Sequence, residues 1–395
     1  MAADIHIVPS TETIELQQQV ARLQALLEAS RQVHSTIREE EVLETVLRIV
    51  VRELEMAGAA FPGIGLSYGE AVLDQANAEG DSASASLPRY PLIDRDGRRM
   101  TDLVVASPGG RALTLYEADF IEGLVLQAAV ALENARNHKR NVEFARVQQD
   151  LEAARAIQRS LLPHSLPAIP GYSLAFRSST CYEVGGDYLD IVPEPDGSVL
   201  IAVADVAGKG LASAIVSTSF RSDFRAMAVA GLPLDELAKR MNQHHWSEGE
   251  EARRRYVTAI FLRLRPEAGE VEMVNAGHNA GLLVAPGSEP VMIEASGTPL
   301  GLLPGMSYTG ERREFAPGAR LLLYTDGLTE IFRGDEEFGT ERLLSEFSGC
   351  PEGKADAILD ALWKATEKFS GGSPQRDDMT ALALCRGIGS TETAE

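Results

Sequence analysis

Basic residues are in short supply. The chain sets 37 lysines and arginines against 58 aspartates and glutamates, a formal charge of −21 at pH 7. Such a surface repels polyanions, which sets nucleic-acid binding aside and leaves divalent cations as compatible partners. Cysteine is scarcer still. Cys181, Cys350 and Cys385 are odd in number, widely scattered and without zinc-ligand spacing, so no disulfide framework is expected. No apolar run reaches the roughly 18 residues that cross a bilayer. The N-terminal stretch MAADIHIVPSTETIEL has no basic region followed by an apolar one, so no secretory leader is expected. These absences predict a cytoplasmic protein without membrane insertion.

What is present is ample apolar material. Hydrophobic residues make up 44% of 395, enough to bury the cores of two or three domains. Residues 12 to about 36 read as a helix, with Leu16, Val20, Leu23 and Leu27 on one stripe. A second helix follows from about Glu39 to Glu55. Residues 77 to 86, rich in alanine and serine, read as a loop. RYPLIDRDGRRMTDLVVAS reads as two short strands around the turn Asp96–Gly97. Near Leu115 a long helix begins, with Glu117 and Asp119 in its first turn. Ile121, Val125, Ala128, Leu132 and Ala135 keep a heptad-like step. After a shift of phase, Phe144, Val147, Leu151 and Ala154 resume it, and Leu161 continues it past a polar Gln158. With no Pro or Gly between Gly123 and Pro163, the pattern predicts a coiled coil and a parallel homodimer, the alternative being a surface helix folded back on its own domain. Pro163, Pro167, Pro170 and Gly171 end the helical zone.

From Tyr172 onward short strands take over. YLDIV and SVLIAVADV form one hairpin, and RYVTAIFLRL and EVEMVNAG form another. GLLVA, PVMIE, RLLLYTDG and MTALALC follow, with helices at about 210–230, 233–245 and 354–370. In the last helix Ile358, Leu359, Leu362, Trp363 and Phe369 make the buried stripe, and Gly371 the C-cap. The pattern is α+β with a mostly antiparallel sheet system.

The acidic residues at strand ends carry the chemistry. VADVAGKG is not a phosphate-binding P-loop: Lys209 is followed by Gly210, and no glycine stands five residues before Gly208. Asp205 ends an apolar strand. Asp187 lies in EVGGDYLD, Asp326 follows RLLLYT, and Asp377 and Asp378 precede MTALAL. Charge at a buried strand end is costly unless it is paired or metal-bound. Oxygen ligands without histidine or cysteine suit Mg²⁺ or Mn²⁺, and glycines such as Gly186 and Gly208 let backbone approach an ion or substrate. Each of these aspartates, taken alone, is equally a turn residue; the combination points to a metal site. Lys209 is a candidate substrate contact or a turn residue. His244 and His245 follow a helix with no sign of being ligands.

The stretch from LEAARAIQRSLLPHSLPAIPGYSLAFRSSTCYEVGGDYLD through ADVAGKG, NAGHN, GTPLGL, YTDGLTE and RDDMT resembles the PPM/PP2C-type serine phosphatases of the SpoIIE and RsbU group, over residues 151 to 386. The resemblance implies an αββα sandwich with two Mn²⁺ or Mg²⁺ ions at one edge. Asp205 would bridge them with the Val206 carbonyl on the first, Asp326 and Asp377 on the second, and Asp187 acting through bound water. Asp378 would be a ligand or the neighbour of one, Glu183 a weak candidate, and His278 in NAGHN a site-edge group or a core loop histidine. No N-terminal arginine motif of the wider family is present to hold phosphate. The implied activity is hydrolysis of phosphoserine or phosphothreonine on a small STAS-type anti-anti-sigma protein, without a covalent phosphoenzyme.

LLEASRQVHSTIREEEVLETVLRIVVREL and YEADFIEGLVLQAAVALENARNH resemble the flanking helices of a GAF sensor domain, although the segment between them is poor in aromatics. A sensor ligand or activator is implied, of unknown identity. The expected organisation is a disordered N-terminus at 1–11, a GAF-like α/β sensor at 12–136, a helical coiled-coil linker at 137–163, an α+β phosphatase domain at 164–388 and a disordered tail at 389–395. Two rival functions remain. A catalytically inactive adaptor would keep the fold but not the chemistry. A nucleotide cyclase is suggested by GGDYL, which echoes a GGDEF signature, but this leaves Asp326 and Asp377 unexplained.

Overall fold

A computed structural model describes residues 11–69, 87–182, 184–350 and 353–388. The expected disordered ends (but for residue 11), the alanine–serine loop at 77–86 and Glu183 lie outside the described residues. The chain divides into two compact units, 1–147 and 148–395. Among the described residues no helix is long and apolar enough to cross a membrane.

The N-terminal unit opens with helices α1 (Thr11–Val33) and α2 (Glu39–Glu53). Strands β1 (Gly58–Phe61), β2 (Leu66–Gly69), β3 (Arg89–Ile93) and β4 (Arg99–Ala106) form an antiparallel sheet in the order β2-β1-β4-β3. Helix α3 (Leu115–Leu161) starts at a reciprocal cap: the Glu117 amide donates to Thr114 Oγ1 at 3.3 Å, and the Thr114 amide donates to Glu117 Oε2 at 2.7 Å. Arg111 grips the same carboxylate at 2.6 and 2.9 Å, and this pairing pulls Glu117 down to about 2.

The core of this unit joins Val46, Leu47 and Val50 of α2, Phe61 and Leu103 of the sheet, and Ile121, Leu124, Ala128 and Leu132 of α3. The first half of the long apolar stripe on α3 therefore packs into its own unit and is no coiled-coil seam. Burial against a sheet imposes the same spacing as burial against a second helix, so periodicity could not separate the two. Beyond it, Phe144 and Val147 stand exposed, as do Leu16, Val20, Leu23 and Leu27 of α1.

The C-terminal unit contains two five-stranded antiparallel sheets. One has the order β12-β9-β8-β7-β6, from β6 (Tyr188–Pro193), β7 (Val199–Val206), β8 (Val257–Arg265), β9 (Glu270–Ala276) and β12 (Glu311–Glu314). The other has the order β11-β10-β13-β16-β5, from β5 (Tyr172–Ser179), β10 (Gly281–Val284), β11 (Val291–Ile293), β13 (Arg320–Tyr324) and β16 (Met379–Arg386). A small ribbon pairs β14 (Phe332–Arg333) with β15 (Glu336–Glu337).

Alternation along each strand sorts side chains into two layers. Val199, Ile201 and Val203 of β7 face Leu321 and Leu323 of β13 and Leu382 and Leu384 of β16 between the sheets. Leu200, Ala202 and Ala204 face outward onto helices α4 (Leu211–Ala228) and α5 (Leu234–Ser247). A short α6 (Glu250–Arg253) follows. On the opposite side Leu322, Tyr324 and Ala381 meet α7 (Gly339–Gly349) and α8 (Ala355–Ser370). The result is the expected αββα sandwich. In α8, Trp363 is only half-buried, its ring covered by the Arg177 guanidinium 5.2 Å away. Gly371 caps that helix in the left-handed region at φ 59°.

Two ion pairs, one half-buried and one fully buried, pin the outer layer. Asp190 of β6 is fully buried and takes both arms of Arg225 from α4 at 2.6 and 2.8 Å, with the Tyr188 hydroxyl donating to it at 2.7 Å. Arg263 of β8 binds Glu194 in the same two-armed way at 2.6 and 2.8 Å, and also donates to the Leu232 carbonyl at 2.8 Å. Removing one partner strands a buried charge. Arg263→Ala is expected to lower stability by about 3–5 kcal/mol, read as a fall in the urea midpoint, whereas the double change to Arg263→Met and Glu194→Leu recovers most of that loss.

Candidate metal centre

The inner-facing rows of both sheets end in polar residues at one edge. In β7 the row Val199, Ile201, Val203 continues to Asp205. In the register of β6 and β7, Tyr188 pairs with Ala204, so Asp187 and Asp205 are each one step beyond that pair, at the end of the inner rows. In the other sheet Tyr324 pairs with Ala381, and the next residues are Thr325 and Thr380, joined by a bond from the Thr325 amide to the Thr380 carbonyl at 2.9 Å. Asp326 follows Thr325 in a single helical turn, and Asp377 and Asp378 lead into β16. Across the sandwich, the Thr325 hydroxyl donates to Asp187 Oδ2 at 2.8 Å.

Burial and neighbouring charge both act on these carboxylates. Burial pushes Asp187 well above the usual carboxylate range, and the charge of Asp205 adds to it. Asp205 rises to about 8, first through burial, then through Asp326, Asp377 and Asp378. Asp326 rises to about 6, through burial, then Glu330 and Asp377. A carboxylate raised in this way gives up its proton when a cation takes its place, so cation binding there favours proton release. No three of these aspartate oxygens draw within 4.8 Å of one another; among the described residues only Asp223, His244 and Glu248 do so.

The remaining sequence candidates sort themselves by contact. Val206 is buried, with its carbonyl oxygen 2.9 Å from where a Gly186 Cβ would stand; Asp205 Oδ1 lies 3.1 Å from the same point. Gly186 is thus the residue that lets this loop close onto β7. Gly208 takes φ 99° in open space, a turn role. Lys209 does not point to free solvent: Nζ lies 2.6 Å from Asp377 Oδ2 and donates to the Arg376 carbonyl at 2.8 Å. Asp378 spends both oxygens on backbone, accepting from the Cys181 amide at 2.8 Å and the Gly186 amide at 2.9 Å. It ties Cys181 and Gly186 to the start of β16. His278 is buried, and burial draws it down to about 4. Its Nδ1 shares a hydrogen bond with Thr258 Oγ1 at 2.8 Å, and Thr258 is the register partner of Asp205. NAGHN is thus a support for β8 behind Asp205.

Sequence reasoning missed two parts of the site. Gln158 of α3 binds Gly185 twice: its Nε2 donates to the Gly185 carbonyl at 2.7 Å, and its Oε1 accepts from the Gly185 amide at 3.1 Å. The available signal was its polarity within an apolar stripe. Gly327 was missed as well; a Cβ there would fall on the Asp378 carbonyl oxygen.

With this geometry in view, residues 195–387 match the family model for Stage II sporulation protein E (SpoIIE). Protein IcfG of Synechocystis sp. is 25% identical over 263 residues, 60% of this chain and 41% of that protein. Phosphoserine phosphatase RsbP of Bacillus subtilis is 26% identical over 185 residues, 46% of this chain and 46% of that protein. The chain spans less than half the length of either relative. The solved SiaA-PP2C domain of Pseudomonas aeruginosa has a TM-score of 0.55 at 20% identity, covering 62% of this chain and 98% of that domain. The C-terminal sandwich is therefore a PP2C-type fold. Within it, residues 195–387 are the part similar to the SpoIIE family model.

Gly327→Ala is expected to force Asp378 and its loop outward, costing about 1–3 kcal/mol and weakening Mn²⁺ binding. Gly349→Ala, where a Cβ meets nothing within 4 Å, is the control and leaves both unchanged. Thermal unfolding with and without Mn²⁺ checks both.

Proposed function

We propose that the chain is a metal-dependent phosphoprotein phosphatase acting on phosphoserine or phosphothreonine. The observation that carries this reading is the convergence of Asp187, Asp205, Asp326 and Asp377 at one edge of a SpoIIE-type sandwich. The donor set fits two Mn²⁺ or Mg²⁺ ions. It is all oxygen, without thiolate or imidazole. Asp205 with the Val206 carbonyl, and Asp326 with Asp377, would hold the ions; Asp187 would act through bound water. When bound, two such ions supply a water acidic enough to attack at neutral pH and a clamp for phosphoryl oxygens. The protein's own groups do the positioning. Thr325 fixes Asp187, Gly186 admits Asp205, and Asp378 holds the loop between them. Lys209 is the cation in contact with the centre and the proposed phosphate contact, with Gly186 and Gly208 lining its approach.

The substrate class follows from the relative RsbP, described as a phosphoserine phosphatase, and from the resemblance to the RsbU group, which points to a STAS-type protein in the cytoplasm. Hydrolysis of a phosphoserine protein and of an aryl phosphate, with and without Mn²⁺, tests the reading. Release is expected only with the ion and is expected to be nearly abolished in Asp205→Ala. Ion-independent turnover, or full turnover in the variant, overturns it; a folded chain that binds Mn²⁺ but releases nothing favours the adaptor reading.

We further propose that the N-terminal unit is a GAF-like sensor that also pairs two chains through the exposed stripe Leu16, Val20, Leu23 and Leu27. Its signal would reach the site along α3, whose Gln158 holds Gly185. A two-residue insertion near Gln149 rotates everything beyond it on the helix by about 200°. It is expected to change the Mn²⁺-dependent rate. An unchanged rate and unchanged regulation make the helix a tether.

A further inference from the structure

A second cluster of ligand-type side chains lies on the outer helical layer. Asp223 of α4, His244 of α5 and Glu248 at the α5 C-cap bring two carboxylate oxygens and an imidazole nitrogen within 4.8 Å of one another. His244 and Glu248 are four residues apart and so share one helical face. Asp223 meets them from the neighbouring helix, with Oδ2 at 2.9 Å from His244 Nδ1. Ser219, one turn earlier on α4, donates to Glu248 Oε1 at 2.8 Å and fixes that carboxylate's direction. Among the described residues no lysine or arginine ion pair satisfies either acid.

A buried neighbour supplies an independent indication. His245 is only 5% exposed. Its Nε2 faces the carbonyls of Ala252 at 3.2 Å and Arg255 at 3.0 Å, which only accept, so Nε2 carries the hydrogen. Its Nδ1 lies 3.5 Å from Glu248 Oε2. A proton on that nitrogen or a cation beside Glu248 satisfies the contact.

We propose that Asp223, His244 and Glu248 form a binding site for a divalent transition ion of the zinc class, with His245 against Glu248 on its inner side. One imidazole with two carboxylates selects Zn²⁺ over Mg²⁺, which avoids nitrogen, and so distinguishes this site from the all-oxygen aspartate centre. The ion would cross-link α4 to α5. Because α4 starts at Leu211, directly after the Asp205–Gly210 segment, the cross-link would stiffen the helix that continues from that segment.

The test uses the full chain, stripped of metal and titrated with Zn²⁺ in excess Mg²⁺ against a chromophoric chelator. Wild type is expected to hold one more Zn²⁺ per chain than His244→Asn, in which the amide can still donate to Asp223. Glu248→Gln, an exposed position, is expected to lose the same ion and serves if the first variant folds poorly. Substoichiometric Cu²⁺ is expected to show nitrogen hyperfine splitting in wild type and to lose it in His244→Asn. The one-ion difference persists in an Asp205→Asn background, so the result stands apart from the aspartate centre. Equal Zn²⁺ counts in wild type and both variants, or nitrogen splitting retained in His244→Asn, overturn the proposal and leave a protonated hydrogen-bond cluster.

Discussion

Mutual repulsion among buried carboxylates is the constraint on which this structure turns. Asp187 and Asp205 end the inner rows of one sheet, and Asp326, Asp377 and Asp378 lie at the matching edge of the other. Burial raises the cost of ionising Asp187, Asp205 and Asp326, and the charges of neighbouring aspartates add to it. Stacking two sheets with their apolar faces inward brings those row ends together. The rest of the site offsets the repulsion: Lys209 lies on Asp377, Thr325 donates to Asp187, and backbone amides neutralise Asp378.

The outer layers explain why this edge keeps its shape. The strand that begins beside Asp187 is locked to α4 through Asp190 and Arg225. Opposite Asp205, Thr258 is braced by the buried His278. Glycines at 185, 186 and 327 leave the room that the loops need to close; a side chain at any of them meets Asp378, Asp205 or the Val206 carbonyl. The metal ligands proposed for this edge are thus held by residues that never touch an ion, which is how a site built on strand ends reaches the precision that hydrolysis demands.

The two halves of the chain were unequally legible. In the sandwich, short apolar runs announced most strands. β12, reading ERRE, carried no apolar alternation because it is an edge strand with one solvated face. Helix α7 was missed because only Leu343 and Phe347 of its eleven residues are buried. The stripes on α1 and α3 show the limit of periodicity. Leu23 is 67% exposed, whereas Leu132, in an equivalent pattern, is buried. The same spacing serves a core and an unpartnered face.

The sequence alone determined that carboxylates stand at several strand ends beside glycines, that the chemistry at those ends is oxygen-based, and that the domain resembles a PP2C-type phosphatase. These features are local: they need only a strand, a turn and the residue after it. Only the tertiary structure decided that Asp378 serves the backbone, that Lys209 pairs with Asp377, that Gln158 holds Gly185, and that His244 meets Asp223. Each of these joins residues distant in the chain. Their partners are chosen by the packing of whole sheets and helices, which no local pattern encodes.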